Sequence, residues 1–251
     1  MASDSQAVQF ASGQPVRLES GDKLHLLERG IAWGATGHEG TIQQVKAALD
    51  AKASTIYKAF KNNTKEEGAQ LLHSSLLPVQ QATMKRYIKE MDPQGQEAPI
   101  IGAIFCGYGR EGPFMIECNK AGGWQFHHRP FFAVGSADVF ALYAMTSVAH
   151  YGVETLTEKQ ALALAYRTVS SAIETAAFGI GGEVQIVKIN KDRALRLEKA
   201  ELESLKDTVT IWKQKEVEAL GGLSAAAAPA EASGVAPNDA SVATQPLPKE
   251  A

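Results

Sequence analysis

The sequence predicts an α+β fold, and three features indicate it. Apolar residues 100–106 are followed by the turn cluster 107–113 and by a second apolar run, 114–118, which is typical of a β-hairpin. Two helical stretches come after the Gly122-Gly123 turn. Residues 183–189 then alternate between apolar and polar side chains, as a half-buried strand does. Two strands, two helices and one more strand in this order predict an α+β domain.

The composition is consistent with one well-buried domain plus appendages. The chain has 251 residues, of which 45% are hydrophobic. Its apolar stretches are shorter than the ~20 residues that a spanning helix needs, and the first residues lack the features of a signal peptide. We therefore expect a cytoplasmic protein without a membrane segment. The net charge of −3, with both signs interspersed, argues against nucleic-acid binding.

The first half of the chain predicts a second hairpin and two helical stretches. Residues 23–35 have the pattern of a strand, a turn and a strand. Residues 41–60 place apolar side chains at helical spacing. A further helical stretch covers residues 66–91, and Pro78 in its middle should kink or divide it.

The second half predicts three more helices and a tail. Residues 137–150 are apolar nearly all round, so this helix should be covered by a sheet, or by a sheet and a neighbouring subunit. The next helix begins with a capping box at Thr157 and Gln160. Residues 192–220 predict a charged helix. From Gly221 onward the composition predicts disorder.

Cysteine and histidine residues suggest no special chemistry. Cys106 and Cys118 fall in the two arms of the central hairpin, and free thiols are expected in a reducing compartment. His127 and His128 are adjacent on a predicted strand and would point to opposite faces, so no metal site is expected.

Ordered motifs in the second half resemble a known family. They are 109–113 in the hairpin, 132–136 before the first following helix, and 181–184 entering the last strand. Together they resemble the second half of a proteasome β-type subunit, an N-terminal-nucleophile hydrolase. In the first half, 3–6 resemble the motif that ends the family's second strand, and 23–27 its lysine-headed strand.

The resemblance covers roughly residues 2–190 and implies a four-layer αββα sandwich. Gly37 closes the strand after Lys23 at the family's own spacing. The expected organisation is a proteasome-β-like domain over residues 1–190, a C-terminal helix over 191–220 and a disordered tail over 221–251. An N-terminally incomplete domain is expected, because the family places about a dozen residues before the aspartate motif.

The resemblance also implies site residues. In the family a threonine at the mature N-terminus attacks through its hydroxyl, with its own α-amine as base. The supporting aspartate and lysine correspond to Asp4 and Lys23, the oxyanion-binding glycine to Gly37 and a supporting serine to Ser136. Each has a structural alternative: a polar chain end for Asp4, a solvated charge for Lys23, a strand end for Gly37 and a helix cap for Ser136.

Three further positions, His25, Ala35 and Glu39, correspond to the family's specificity pocket. A small Ala35 would leave the pocket roomy and favour large apolar side chains.

Two departures from the family pattern affect the expected activity. Met1 and Ala2 precede Ser3 and Asp4 and carry no nucleophile, so the chain as written is expected to be inactive. Ala177 and Ile180 are apolar where the family carries a carboxylate and a small hydroxyl.

Three functions remain open at this point. The first is a threonine-type peptidase subunit of a self-compartmentalising particle for intracellular protein degradation, whose true start lies upstream. The second is a non-catalytic homologue that assembles or binds without cleaving. The third is an amidohydrolase acting on a small amide. The first implies a homo-oligomeric ring, a peptide or unfolded-protein substrate and no cofactor or metal.

Overall fold

The computed structural model describes residues 1–11, 14–90, 100–120, 122–148, 152, 155–175 and 180–226. These residues form ten strands and six helices. The strands are β1 (Ala2–Asp4), β2 (Gln6–Ala11), β3 (Gln14–Ser20), β4 (Leu24–Leu27), β5 (Ile31–Gly37), β6 (Ile101–Gly109), β7 (Gly112–Cys118), β8 (Trp124–Phe126), β9 (Val184–Ile189) and β10 (Ala194–Arg196). The helices are α1 (Glu39–Asp50), α2 (Ala53–Asn62), α3 (Lys65–Glu90), α4 (Asp138–Ser147), α5 (Glu158–Thr175) and α6 (Lys199–Ala226).

The larger sheet has five antiparallel strands in the order β4-β5-β6-β7-β8. Every second side chain of β5 and β6 points to one face, where α1, α2 and α3 cover it. Trp33, Phe60 and Phe105 are fully buried in this helix-side core. Phe60 stacks on Phe114 with the ring centroids 4.1 Å apart, which joins α2 to β7.

The smaller sheet has the order β1-β9-β10, and β9 pairs antiparallel with both neighbours. Its alternating pattern divides the side chains between two layers. Val184 and Ile186 pack with residues of α5 and α6. Val187 points to the opposite face, where it contacts Leu24 and Ala32 of the larger sheet.

The two sheets therefore stack, with α1–α3 outside one and α5–α6 outside the other. This is the four-layer αββα sandwich that the sequence predicted, and the α+β prediction is confirmed. Both predicted hairpins are present, as β4–β5 and β6–β7. The capping box is also present, since the Thr157 N–H donates to Gln160 Oε1 at 2.8 Å.

Several element boundaries differ from prediction. The stretch predicted as one helix over residues 41–60 is interrupted by a turn at 51–52, which separates α1 from α2. Conversely, α3 runs through Pro78 without being divided. The helix predicted from residue 192 begins at Lys199, because residues 194–196 pair with β9 as an additional strand.

The β2–β3 hairpin was not predicted and forms a separate two-stranded sheet. At the other end of the chain, α6 continues past Gly221 to Ala226. The rest of the predicted tail, residues 227–251, lies outside the described residues. Residues before Ile211 belong to one compact unit, and the remainder of α6 to a second.

The two cysteines are free thiols, as expected. They lie on opposite faces of the larger sheet, because Cys118 belongs to the helix-side core whereas Cys106 lies near the Met1 amino group. Burial raises the pKa of the Cys106 thiol to about 11 and that of Cys118 to about 12. Both thiols are therefore protonated at neutral pH.

Candidate functional site

Asp4 and Lys23 form an ion pair at one end of the sandwich. The Lys23 Nζ lies 2.8 Å from Asp4 Oδ1 and 3.0 Å from Oδ2. Asp4 is the last residue of β1, and Lys23 directly precedes β4, so the pair joins the two sheets. Only 14% of the Asp4 side chain and 29% of the Lys23 side chain are exposed.

Backbone donors fix the Asp4 carboxylate. Its Oδ2 accepts from the Gln6 N–H at 3.2 Å and from the Gly181 N–H at 3.1 Å. With Lys23, these donors hold an ionised carboxylate in one orientation. The turn that supplies Gly181 lies against residues 5 and 6, because a Cβ at Gly181 would be 2.0 Å from Gln6 Oε1 and one at Gly182 would be 2.3 Å from Ser5 Oγ.

The end of β5 presents a backbone N–H at Gly37. The neighbouring His38 N–H points toward the β6 side and donates to the Ile100 carbonyl at 3.4 Å. Because successive N–H groups of an antiparallel strand point to opposite sides, the Gly37 N–H points away from β6. On that other side, β4 starts at Leu24, opposite Gly34, and does not reach Gly37. Gly37 has a φ of +119°, and a Cβ there would lie 2.2 Å from the Ile100 carbonyl oxygen. Only glycine fits this position.

Ser136 lies near the end of β5 but does not join the ion pair. Its neighbour Gly135 packs against Thr36, with 3.7 Å between the Gly135 Cβ position and Thr36 Oγ1. Ser136 itself is exposed, and within the described residues its hydroxyl makes no hydrogen bond with Asp4 or Lys23. It is not the helix cap either, since Ala137 occupies the N-cap of α4.

The three residues assigned to a specificity pocket lie on the helix side of the larger sheet. The His25 ring packs on Trp33 with 4.5 Å between centroids, and Ala35 is half-buried against the same core. Glu39 is exposed at the first position of α1 and accepts a hydrogen bond from Gln43. Burial lowers the pKa of His25, and the nearby charges of Lys46 and Arg196 lower it further.

Sequence reasoning missed the residues that hold the Lys23 backbone. The Lys23 N–H donates to Gln185 Oε1 at 3.0 Å, and Arg196 binds the residues on both sides of Lys23. The sequence contained one signal for Gln185. It is a polar residue on the face of the strand that otherwise carries the apolar Val187 and Ile189. Arg196 gave no such signal, because its strand was not predicted.

A family model described as Proteasome subunit matches residues 1–189. The chain belongs to the proteasome subunit family. No curated protein matches it. The family match includes both members of the Asp4–Lys23 pair, as well as Gly37, Ser136 and the three pocket positions.

Of the two positions where an apolar residue stands in place of the expected polar one, the structure describes Ile180. Ile180 is half-buried next to Gly181, while Ala177 lies outside the described residues. The Met1 amine donates to the Val187 carbonyl at 2.8 Å. Burial lowers the pKa of this amine. Neither Met1 nor Ala2 carries a hydroxyl or thiol.

Other kinds of site find no support in the part of the chain that the structure describes. There, no group of three or more His, Cys, Asp or Glu side chains could hold a metal ion. His127 instead bonds Glu117, with 3.0 Å between Nε2 and Oε2, and stacks on Phe132. No helix among the described residues is both long and apolar enough to cross a membrane.

Proposed function

We propose that this proteasome-family chain is a threonine-type peptidase subunit of a self-compartmentalising particle that degrades proteins in the cytoplasm. The observation that carries the proposal is the Lys23–Asp4 ion pair, further bound by the Gln6 and Gly181 N–H groups. A lysine held by a carboxylate beside a nucleophile favours the deprotonated form of its neighbours through its positive charge.

The attacking group in this proposal is the hydroxyl of a threonine at the mature N-terminus. Its α-amine takes the hydroxyl proton as the oxygen adds to the peptide carbonyl. The tetrahedral oxyanion accepts a hydrogen bond from the Gly37 N–H, which lies outside the strand ladder. The proton then passes to the leaving amine, and water hydrolyses the resulting ester and regenerates the threonine. Asp4 keeps Lys23 in place throughout.

Substrates in this proposal are peptides or unfolded proteins with large apolar side chains before the cleaved bond. What supports this preference is the small size of Ala35, a half-buried residue on the helix side of the larger sheet. The lowered pKa of His25 keeps this ring neutral at physiological pH. Membership of the proteasome family supports assembly of such chains into rings, and we propose a ring of identical subunits.

A non-catalytic subunit is the second candidate. The apolar Ile180 favours it, since this residue stands beside Gly181, one of the donors to Asp4. In that case the ion pair and the Gly181–Gly182 turn serve to hold the two sheets together.

The native protein purified from its source distinguishes the two candidates. Intact-mass and N-terminal peptide analysis identify the mature first residue, and an electrophile that reacts with N-terminal threonine tests its reactivity. The peptidase proposal expects an adduct on an N-terminal threonine and hydrolysis of peptides with a large apolar residue before the cleaved bond. A first residue of Met1 or Ala2, with neither adduct nor hydrolysis, rejects it in favour of the non-catalytic subunit.

A further inference from the structure

Gln185 makes the most extensive side-chain contact with the segment that carries Lys23. Its Oε1 accepts from the Lys23 N–H at 3.0 Å. Its Nε2 donates to the Gly21 carbonyl at 2.9 Å and to Asp22 Oδ1 at 3.3 Å. A glutamine amide suits this position because it donates and accepts from one planar group. One side chain of β9 thus binds three consecutive residues before β4.

Arg196 binds the same segment from β10. Its Nη1 donates to Asp22 Oδ1 at 2.6 Å, and its Nη2 donates to the Leu24 carbonyl at 2.5 Å. The two contacts lie on either side of Lys23. The fixed fork of a guanidinium can make both at once, whereas a single ammonium reaches them less well.

These contacts cross from one sheet to the other. The same region contains the Asp4–Lys23 pair and two backbone hydrogen bonds, from the Gly21 N–H to the Ser5 carbonyl at 2.8 Å and from the Ala194 N–H to the Arg29 carbonyl at 2.6 Å. The apolar part of the interface is a small buried group, Leu24, Ala32, Val187 and Ala194. Apolar burial is non-directional, so it leaves the lateral position of one sheet on the other weakly specified. Hydrogen bonds are directional, so those of Gln185 and Arg196 help to fix this position.

Asp4 and Lys23 are both held next to β9. Asp4 follows Ser3, which lies directly opposite Gln185 in the β1–β9 ladder. The Lys23 backbone is bound to the Gln185 side chain. Because a lysine ammonium is carried on a flexible stem, its position relative to the carboxylate depends on where the backbone is held.

We propose that Gln185 and Arg196 are positioning residues that hold the 21–24 segment against β9 and thereby keep Lys23 paired with Asp4. A role in catalysis for the two residues rests on the proposed peptidase function, but their effect on Lys23 does not. Their hydrogen bonds described above go to the backbone of residues 21–24 and to Asp22, not to the Lys23 ammonium or the Asp4 carboxylate, so their substitution acts through the position of Lys23.

Competitive acetylation with trace acetic anhydride, followed by peptide mass spectrometry of the full chain, tests the proposal. Gln185→Met and Arg196→Met are compared with Gln125→Met and Arg110→Met. In these controls, the Gln125 side chain donates to Glu117, and the Arg110 side chain donates to the Asn62 carbonyl, both away from residues 21–24. The labelling rate of Lys23 is expressed relative to Lys46, an exposed lysine paired with Asp50.

We expect Lys23 to be labelled about threefold faster in Gln185→Met and Arg196→Met, the factor typical of opening a partly exposed ion pair. The controls leave the rate unchanged. Arg196→Lys, which keeps the charge and is the variant least disruptive to folding, gives an intermediate rate. Unchanged Lys23 labelling in folded Arg196→Met and Arg196→Lys would overturn the proposal, whatever the folding of Gln185→Met.

A peptidase assay separates this proposal from the proposed function. If the chain is a peptidase, Gln185→Met lowers kcat while KM stays the same, because substrate contacts are intact and the supporting cation is displaced. Faster Lys23 labelling, together with a native wild-type particle that hydrolyses no peptide, would reject the peptidase function and retain the positioning role. A lowered kcat without any change in labelling would reject the positioning role and retain the function.

Discussion

The two faces of the larger sheet are held by different kinds of interaction. On the helix side, large side chains such as Trp33, Phe60 and Phe105 are completely buried. On the sheet side, the apolar layer is small, and the contacts around Lys23 are ion pairs and hydrogen bonds. We infer that most of the stability comes from the helix side, whereas the sheet side positions polar groups. The following predictions address this division.

The largest effect is expected from opening the helix-side core. Phe60 is fully buried and stacks on Phe114, so Phe60→Ala should lower the free energy of unfolding by about 3–5 kcal/mol. Ile88, 69% exposed on α3, is the control, and Ile88→Ala should stay within about 0.5 kcal/mol. Chemical denaturation measures both. A loss below that of Ile88→Ala would mean that the helix side does not carry the stability.

The next effect concerns the Gly37 backbone. Gly37→Ala places a Cβ 2.2 Å from the Ile100 carbonyl oxygen in a residue with a φ of +119°. We expect a loss of about 2–4 kcal/mol, from strain and overlap together. Gly112 is a control for backbone strain without overlap, because its φ is +106° and no atom lies within 4 Å of its Cβ position. Gly112→Ala should cost about 1 kcal/mol. Equal costs for both would show that the close approach to Ile100 is not significant.

The smallest effect is a pH dependence at His25. Burial lowers its pKa below the unfolded value of 6.5, so the unfolded state binds the proton first as the pH falls. His25 therefore makes stability decrease below about pH 6.5. His25→Phe retains the packing on Trp33 and should flatten the slope of unfolding free energy between pH 7 and pH 5. An identical slope in the variant would contradict the buried, neutral ring.

The sequence predicted elements whose signals are local. The β4–β5 and β6–β7 hairpins followed from apolar runs on either side of turn residues, and the start of α5 followed from Thr157 and Gln160. By contrast, β10 has only three residues and lies in a charged segment, so it has no alternation to detect. It becomes a strand because β9 is available to pair with it.

Part of the site was predictable because short local motifs indicate its residues. Asp4 and Lys23 came from motif resemblance, and the structure places them within hydrogen-bonding distance. Gln185 and Arg196 depend on how two sheets align, which no local pattern encodes. Ser136, also taken from a motif, is exposed and follows Gly135, which packs against Thr36, so the motif alone did not bring it to the ion pair.

The Asp4–Lys23 pair is central to the proposed peptide hydrolysis. Replacing Lys23 by Met in the native particle tests it, with Lys46→Met as the control. We predict that Lys23→Met lowers the hydrolysis rate of the assembled particle by about 10²–10³-fold, the size expected when one preorganised charge beside the reacting groups is removed. A Lys23→Met particle that hydrolyses peptides at the wild-type rate would contradict the claim.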